Sequence, residues 1–389
     1  MPVIKAAPLG LLIIQPTPFC NIDCRYCYLG DRLDKTRMQM STVEAAARFI
    51  ERLPLAKQTL PVVWHAGEPL VVGTAFYRDA FQHFASAAPS FPVQHQVQTN
   101  ATLINDEWCE LFQSASVKVG VSIDGPRDVH DAYRVDRSGK GTFDRCMHGI
   151  SKLREHKVPF TVISVITTAA LSRAEEVWNF LSSLGASQLA FNIEEVEGAH
   201  ERSSLSGAAT RELATRFYTR IAELREKGPF VPVRELDDMQ RHLTAPVGST
   251  VMRANNHPGA IVNIDVHGNV STLSPELLGQ NHSLYGKFQW ANVHRDSWAD
   301  LMANPQFIFA YQAVQSGVQK CKESCGYFAI CGGGNPSNKL AELGTFDGTE
   351  TEHCRFHVQA VADVMLDALE RRQARPIISQ HAMHACCAE

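Results

Sequence analysis

The chain has 389 residues, 44% hydrophobic and 20% charged, the proportions of an ordinary globular protein with room for one large domain and a smaller one. Its net charge of −4 comes without any basic block, so neither nucleic acid nor an anionic membrane is an expected partner. The N-terminal MPVIKAAPLGLLIIQPTP has a short apolar run broken by Pro16 and Pro18, and no segment reaches membrane-spanning length; a cytoplasmic location is expected.

From the N-terminus, strand-like and helix-like patterns alternate. LLIIQPT (11–17) reads as a strand and STVEAAARFIERL (41–53) as a helix opened by a Ser41/Glu44 capping box. PVVWHA (61–66), VQHQVQT (93–99), VKVGVSID (117–124), PFTVISVIT (159–167) and SQLAFNIE (187–194) continue the strands. Residues 74–86, 105–114, 142–156 and 172–184 carry the helical patterns between them. Apolar, β-branched strands each followed by an amphipathic helix predict an α/β fold with a parallel sheet under helices. Six such units, without the glycine-rich first turn of a dinucleotide fold, predict an incomplete (β/α)6 TIM barrel, whose chemistry collects at the C-terminal strand ends. Cys20, Gly67-Glu68, Asn100, Asp124 and Glu194 all fall at such ends. A helix near 209–227 follows, then a looser stretch rich in Pro and Gly (228–260), a hairpin (261–272) and a closing helix (358–372). The expected boundary lies near residue 235, between units 1–235 and 236–389.

Eleven cysteines in a chain expected in a reducing compartment point to metal ligands or catalytic groups rather than disulfides. Cys109 and Cys146 stand alone on predicted helices and read as small buried hydrophobes. Cys386 and Cys387 lie in a terminal tail. Cys20, Cys24 and Cys27, in FCNIDCRYCY, can reach one metal centre, yet zinc or an iron–sulfur cube usually takes four protein ligands. Either a distant His or Cys completes a zinc site, or one iron of a [4Fe–4S] cube stays open to a substrate or cofactor. A redox-active cluster with an open iron can deliver an electron to whatever binds there.

CNIDCRYCY resembles the signature of the radical S-adenosylmethionine (SAM) superfamily, with Tyr26 as the aromatic before the last cysteine. The resemblance implies that SAM chelates the open iron and is cleaved to methionine and a 5′-deoxyadenosyl radical. His65-Ala66-Gly67-Glu68-Pro69 looks like the family's G-G-E-P element, whose backbone and carboxylate hold the SAM amino group. Ala66 in place of glycine is expected only to narrow the backbone approach. Similarity to relatives implies cofactor contacts for Ser122 and Asp124, matches Asn100 to the T-N that closes strand three, and sets Arg134 against the methionine carboxylate. Without that resemblance, Asp124-Gly125-Pro126 reads as a turn and Arg134 as a surface ion pair.

Cys321, Cys325, Cys331 and Cys354 make a four-thiol set with none left over, hence a closed site, and spacing alone allows zinc or iron–sulfur. Gly332-Gly333-Gly334 would let backbone amides turn toward it. The region looks like a SPASM domain, the auxiliary-cluster extension of radical SAM peptide maturases. No cysteine occurs between Cys146 and Cys321, and position 274 is Ser274, so one auxiliary cluster is expected instead of two, giving two [4Fe–4S] clusters in all. FNIEEVEGAH (191–200), STLSPELLG (271–279) and residues 331–354 look like cyclophane-forming maturases of the glycine-rich-repeat peptide (GrrM/OscB-like) class. Such enzymes join an aromatic ring carbon to a β-carbon in a ribosomal precursor peptide. The resemblance implies β-hydrogen abstraction, attack on the ring, and loss of a proton and an electron. It makes the auxiliary cluster the electron acceptor and Glu194 or Glu195 the candidate base, with an electron donor such as flavodoxin or ferredoxin. No N-terminal leader-binding domain is expected, since strand one begins at Leu11. One rival is formylglycine formation on a sulfatase, which residues 122–145 resemble equally and which implies two auxiliary clusters. Another is a different radical SAM peptide crosslink, a thioether or ether, and the last is a non-catalytic zinc or iron–sulfur protein.

Overall fold

A computed structural model describes residues 4–88, 90–207, 211–228 and 230–374, and the Cys386-Cys387 pair lies outside them. Strands β1 (Leu11–Ile14), β2 (Leu60–Trp64), β3 (Val93–Thr99), β4 (Lys118–Ser122), β5 (Phe160–Ile166) and β6 (Leu189–Ile193) run parallel, side by side in that order. Between them stand α1 (Met40–Ile50), α2 (Thr74–Ala87), α3 (Asp106–Ser114), α4 (Arg127–Tyr133), α5 (Phe143–Glu155), α6 (Thr168–Leu171) and α7 (Ala174–Ser183). Helices α8 (Arg211–Lys227) and α9 (Arg234–Leu243) follow.

The hairpin β7 (Ile261–Ile264) and β8 (Asn269–Thr272) does not make a sheet of its own. Strand β7 pairs in parallel with the free edge of β1, Leu12 against Val262, and β11 (Ala291–Asn292) pairs antiparallel with β8. One mixed nine-stranded sheet results, with β9 (Asn281–His282) and β10 (Gly286–Lys287) forming a small separate pair. The remaining helices are α10 (Trp298–Ala303), α11 (Pro305–Ser324), α12 (Phe328–Cys331), α13 (Pro336–Leu343) and α14 (Ala360–Ala374), the last preceded by a π-helical stretch at Cys354–Gln359.

Strand alternation sorts the two faces of the sheet. Leu12, Ile14, Val62, Trp64, Val121 and Val162 are fully buried beneath the helices. Their neighbours on the opposite face line a large cavity, and many are polar: Gln94, Gln96, Gln98, Ser122 and Asn192. The alternating glutamines of VQHQVQT therefore mark a solvated interior, while His95 between them stacks on Phe81 with ring centroids 4.1 Å apart.

Two local expectations fail. The Ser41/Glu44 capping box is absent: α1 starts at Met40 with Gln39 as N-cap, Ser41 is exposed, and Glu44 bonds instead to Arg48 and, at 2.6 Å, to His83 Nδ1. The stretch 228–260 contains a full helix, α9, held by buried Glu235, whose Oε2 accepts the Phe191 amide of β6 at 3.0 Å. Residue 235 thus sits inside a helix packed on the sheet.

Candidate active site

The loop after β1 carries the first three cysteines and is tied down through its carbonyls. Arg32 donates to the Cys24 carbonyl at 3.0 Å and pairs with Asp23 at 2.6 Å, and Arg137 donates to the Cys20 carbonyl at 2.7 Å. The Asp23 and Arg25 amides bond to the carbonyls of Val135 and Tyr133, which fixes the loop against the end of α4. All three thiols face the cavity, whose volume is about 1280 Å³. That exceeds the ~300–1,000 Å³ usual for one small ligand.

Burial pushes the Cys20 and Cys24 thiols up to about 12, and raises Cys27 as well. Such thiols do not ionise at neutral pH unless a strongly positive centre replaces their protons. Among the described residues no three His, Cys, Asp or Glu close on a single metal ion. A cube, which binds each thiolate on a separate iron, needs a wider set of donors. Cys20, Cys24 and Cys27 all line the one cavity, as such a set requires.

Around the thiols, each strand end adds one part. Glu68, 1% exposed, accepts from the Asn100 amide at 2.8 Å, the Thr99 hydroxyl at 2.7 Å and the Leu70 amide at 3.0 Å. Burial pushes its carboxyl up to about 7 against those hydrogen bonds. This carboxylate therefore splices the ends of β2 and β3 together. Ala66 and Gly67 before it both have positive φ, 71° and 59°. A Cβ on Gly67 would lie 2.5 Å from the Phe19 carbonyl oxygen, so only glycine fits there. The cost of Ala66 is its left-handed backbone, a correction to the expected narrowing of the approach.

Asn100 donates to Asn21 at 2.9 Å, and its side-chain nitrogen lies 3.9 Å from Cys20 Sγ. Ser122 accepts from Gln98 at 2.8 Å. Asp124, 1% exposed, is no mere turn residue: it accepts from Arg134 Nε at 3.0 Å, the Val165 amide at 3.0 Å and the Tyr26 hydroxyl. Arg134 is buried rather than on the surface, faces the Tyr26 ring at 5.4 Å, and has Nη1 3.9 Å from Cys24 Sγ. Tyr26, Gly67, Glu68, Asn100, Ser122 and Arg134 line the cavity; Asp124 stands behind them as their anchor.

At the end of β6, Glu194 is buried and committed, accepting from His200 at 3.1 Å and from the amide and hydroxyl of Ser204. Glu195 pairs with His353 at 2.5 Å and accepts from Asn338 at 2.8 Å. Burial acts to raise its carboxyl, but His353 outweighs it and holds Glu195 below the usual carboxylate range. Sequence reasoning missed two neighbours on the same cavity wall, Glu197 and Glu276. Glu197 accepts from Ser337 at 2.6 Å and Asn338 at 3.1 Å, and burial, with Glu195 beside it, drives its carboxyl well up. Glu276 keeps a buried Oε2 without a protein partner, and burial lifts its carboxyl to about 7. For Glu197 the sequence signal is the acidic run EEVE that continues past β6; Glu276, in SPELLG after the hairpin, stands outside it.

The second cysteine group also converges. Cys321, Cys325, Cys331 and Cys354 line a cavity of about 390 Å³ with Gly333 and Gly334. Thr351 Oγ1 donates to Cys354 Sγ at 3.2 Å, and Lys339 Nζ lies 3.4 Å from Cys321 Sγ. The glycine run packs at close quarters: a Cβ on Gly332, φ 72°, would lie 2.3 Å from the Val251 carbonyl oxygen. Asn256 donates to the carbonyls of Gly332 and Gly334 at 2.9 and 3.0 Å. Between the two cavities runs α13, capped by Asn335 and Pro336 and ended by left-handed Gly344. Its Ser337 and Asn338 meet the glutamates of the large cavity, and the next residue, Lys339, meets Cys321.

Residues 14–195 match the family model described as the radical SAM superfamily. The uncharacterized protein sll1766 of Synechocystis sp. is 38% identical over 371 residues, covering 93% of this chain and 92% of its own. The serine-type anaerobic sulfatase-maturating enzyme of Bacteroides thetaiotaomicron is 27% identical over 397 residues, covering 95% and 94%. Among solved structures, native anSMEcpe with bound AdoMet and Cp18Cys peptide shares the fold at a TM-score of 0.75 and 19% identity, over 94% of this chain and 98% of that one. No helix among the described residues is long and apolar enough to cross a membrane. With the three-cysteine loop at the end of β1, these similarities establish that the chain belongs to the radical SAM superfamily of enzymes, with S-adenosylmethionine and 4Fe–4S clusters as its cofactors.

Proposed function

We propose that this enzyme oxidises a ribosomally made precursor peptide, joining an aromatic ring carbon to a nearby β-carbon to form a cyclophane. The observation that best supports this reading is the course of the large cavity, which runs from Cys20, Cys24 and Cys27 to Glu195 and Glu276, with the second cysteine group one helix away. In this reading Cys20, Cys24 and Cys27 hold the SAM-binding cluster at the rim of a partial barrel, residues 1–235. Cys321, Cys325, Cys331 and Cys354 hold one auxiliary cluster in a SPASM-like unit, residues 236–389. When bound, the first cluster and SAM supply the radical that removes a hydrogen atom, and the second cluster supplies a sink for one electron.

The chain's own residues position and protect. Arg134, anchored by Asp124, presents a fixed guanidinium edge to a carboxylate of the cofactor. Glu68 and Asn100 hold the strand ends around its amino group, and Ser122 and Tyr26 complete the wall. The ring carbon must also lose a proton. Glu194 has both oxygens occupied and Glu195 is tied to His353, whereas Glu276 lines the cavity and keeps one buried oxygen without a hydrogen-bond partner. Glu276 is therefore our candidate acceptor, ahead of the two glutamates expected from sequence. A small carrier of the flavodoxin or ferredoxin kind is the expected electron donor.

A second reading, formylglycine formation on a peptide serine, is favoured by the similarity to the serine-type sulfatase-maturating enzyme over nearly the whole chain. Co-expression with a precursor peptide bearing aromatic-containing repeats, followed by tandem mass spectrometry, tests the first reading. Loss of two hydrogens with no hydrazide-reactive carbonyl and no fragmentation between the joined residues supports it. A hydrazide-reactive aldehyde on a sulfatase peptide supports the second. Iron content separates them further, about eight per chain against about twelve, and zinc without iron defeats both.

A further inference from the structure

We propose that Lys339 is the buried counter-ion of the four-cysteine site and raises the reduction potential of the cluster held there; this rests on the reading of that site as an auxiliary iron–sulfur centre. Lys339 is 2% exposed. Among the described residues no carboxylate lies within ion-pair distance of its ammonium, and its hydrogen-bond partner is Cys321 Sγ at 3.4 Å. Its stem runs past Gly334, where an added Cβ would lie 3.3 Å from Lys339 Cε and 3.8 Å from Cys354 Sγ, so the charged end is steered among the sulfurs.

A buried ammonium without an anion is costly, and chains seldom keep one. The other buried cation here, Arg134, has Asp124 at 3.0 Å. For Lys339 the anion must come from the cysteines themselves once they are ionised on a metal centre. Four thiolates on a cube carry a net charge of about −2 when oxidised and −3 when reduced. A fixed positive charge and an N–H···S bond favour the more negative form, so the potential rises. The aim of Lys339 is set from the other side of α13, where Ser337 and Asn338 are bonded to Glu197 and Glu195.

The test is a potentiometric titration followed by electron paramagnetic resonance, on full-length protein with Cys20, Cys24 and Cys27 changed to Ala so that only the second centre remains. The K339M and K339Q variants should show a reduced-to-oxidised ratio at fixed potential at least tenfold below that of the parent, about 59 mV downward for one electron. K339R should recover most of the difference. Equal potentials in K339M, K339Q and the parent overturn the inference while leaving the cluster assignment intact. Absence of iron from the parent itself overturns the cluster assignment. If the neutral variants shed iron while K339R keeps it, the counter-ion role stands; if K339R sheds it too, Lys339 only packs and the inference falls.

Discussion

The two cysteine sites differ in how their charge is balanced. At the first, Arg134 lies 3.9 Å from Cys24 Sγ, and Asp124 neutralises it. At the second, Lys339 stands against Cys321 with no acid among the described residues to cancel it. The first site also opens on a cavity of about 1280 Å³, the second on one of about 390 Å³. A centre whose neighbouring cation is cancelled keeps a low potential and reduces what binds to it; one beside an uncancelled cation accepts electrons more readily. On the proposed reading, that difference would set the direction of electron flow between the two sites.

The severest way to break this comparison is to delete the first site. Changing Cys20, Cys24 and Cys27 together to Ala should abolish 5′-deoxyadenosine formation and leave about four iron per chain. Product still formed by that variant, measured by liquid chromatography, would transfer the chemistry elsewhere. Next comes the neutralising pair itself. Asp124→Ala leaves Arg134 buried without its partner and should lower unfolding stability by about 3 kcal/mol in urea titrations, since a broken buried pair leaves an uncompensated charge. An unchanged midpoint would mean that Arg134 needs no anion.

A third measurement addresses the ground between the sites. The Glu276 carboxyl is raised from 4.5 to about 7, so the folded state holds its proton longer than the unfolded chain does. Stability attributable to Glu276 therefore falls as pH climbs from about 4.5 to about 7 and levels off above. Glu276→Gln should remove that loss, with an advantage over the parent growing to about 3 kcal/mol by pH 8 in chemical denaturation. A pH-independent difference would refute the assignment. The smallest effect concerns Ala66. Ala66→Gly relieves a left-handed alanine at the first site and should add about 0.5 kcal/mol to stability; a loss would show that the methyl contributes to packing.

The sequence is most legible where chemistry requires short spacing. The C-x-x-x-C-x-x-C run and the four later cysteines were readable at once, and the structure gathers each set on one cavity. The six parallel strands were equally plain, because each carries β-branched apolar residues bounded by polar ends. What stayed hidden depends on partners far along the chain. Glu235 looks like any surface acid on a helix until the Phe191 amide claims it. Pairing of β7 with β1 joins residues some 250 apart in sequence, and no local pattern encodes it. Lys339 reads as a solvated lysine in NPSNKLAEL; only the fold turns it inward. Helix α13 escaped the sequence reading, although its caps, Asn335-Pro336 and Gly344, are local; what its sides touch is not.

That eight-residue helix has a further consequence. Successive helical residues point about 100° apart, so Asn338 and Lys339 face different rooms across a partition one helix thick, about 10 Å. A peptide side chain against Glu195 or Glu197 would be separated from Cys321 by little more than that helix. On the proposed reading no relay of intervening groups is required, because one helix separates the large cavity from the four cysteines.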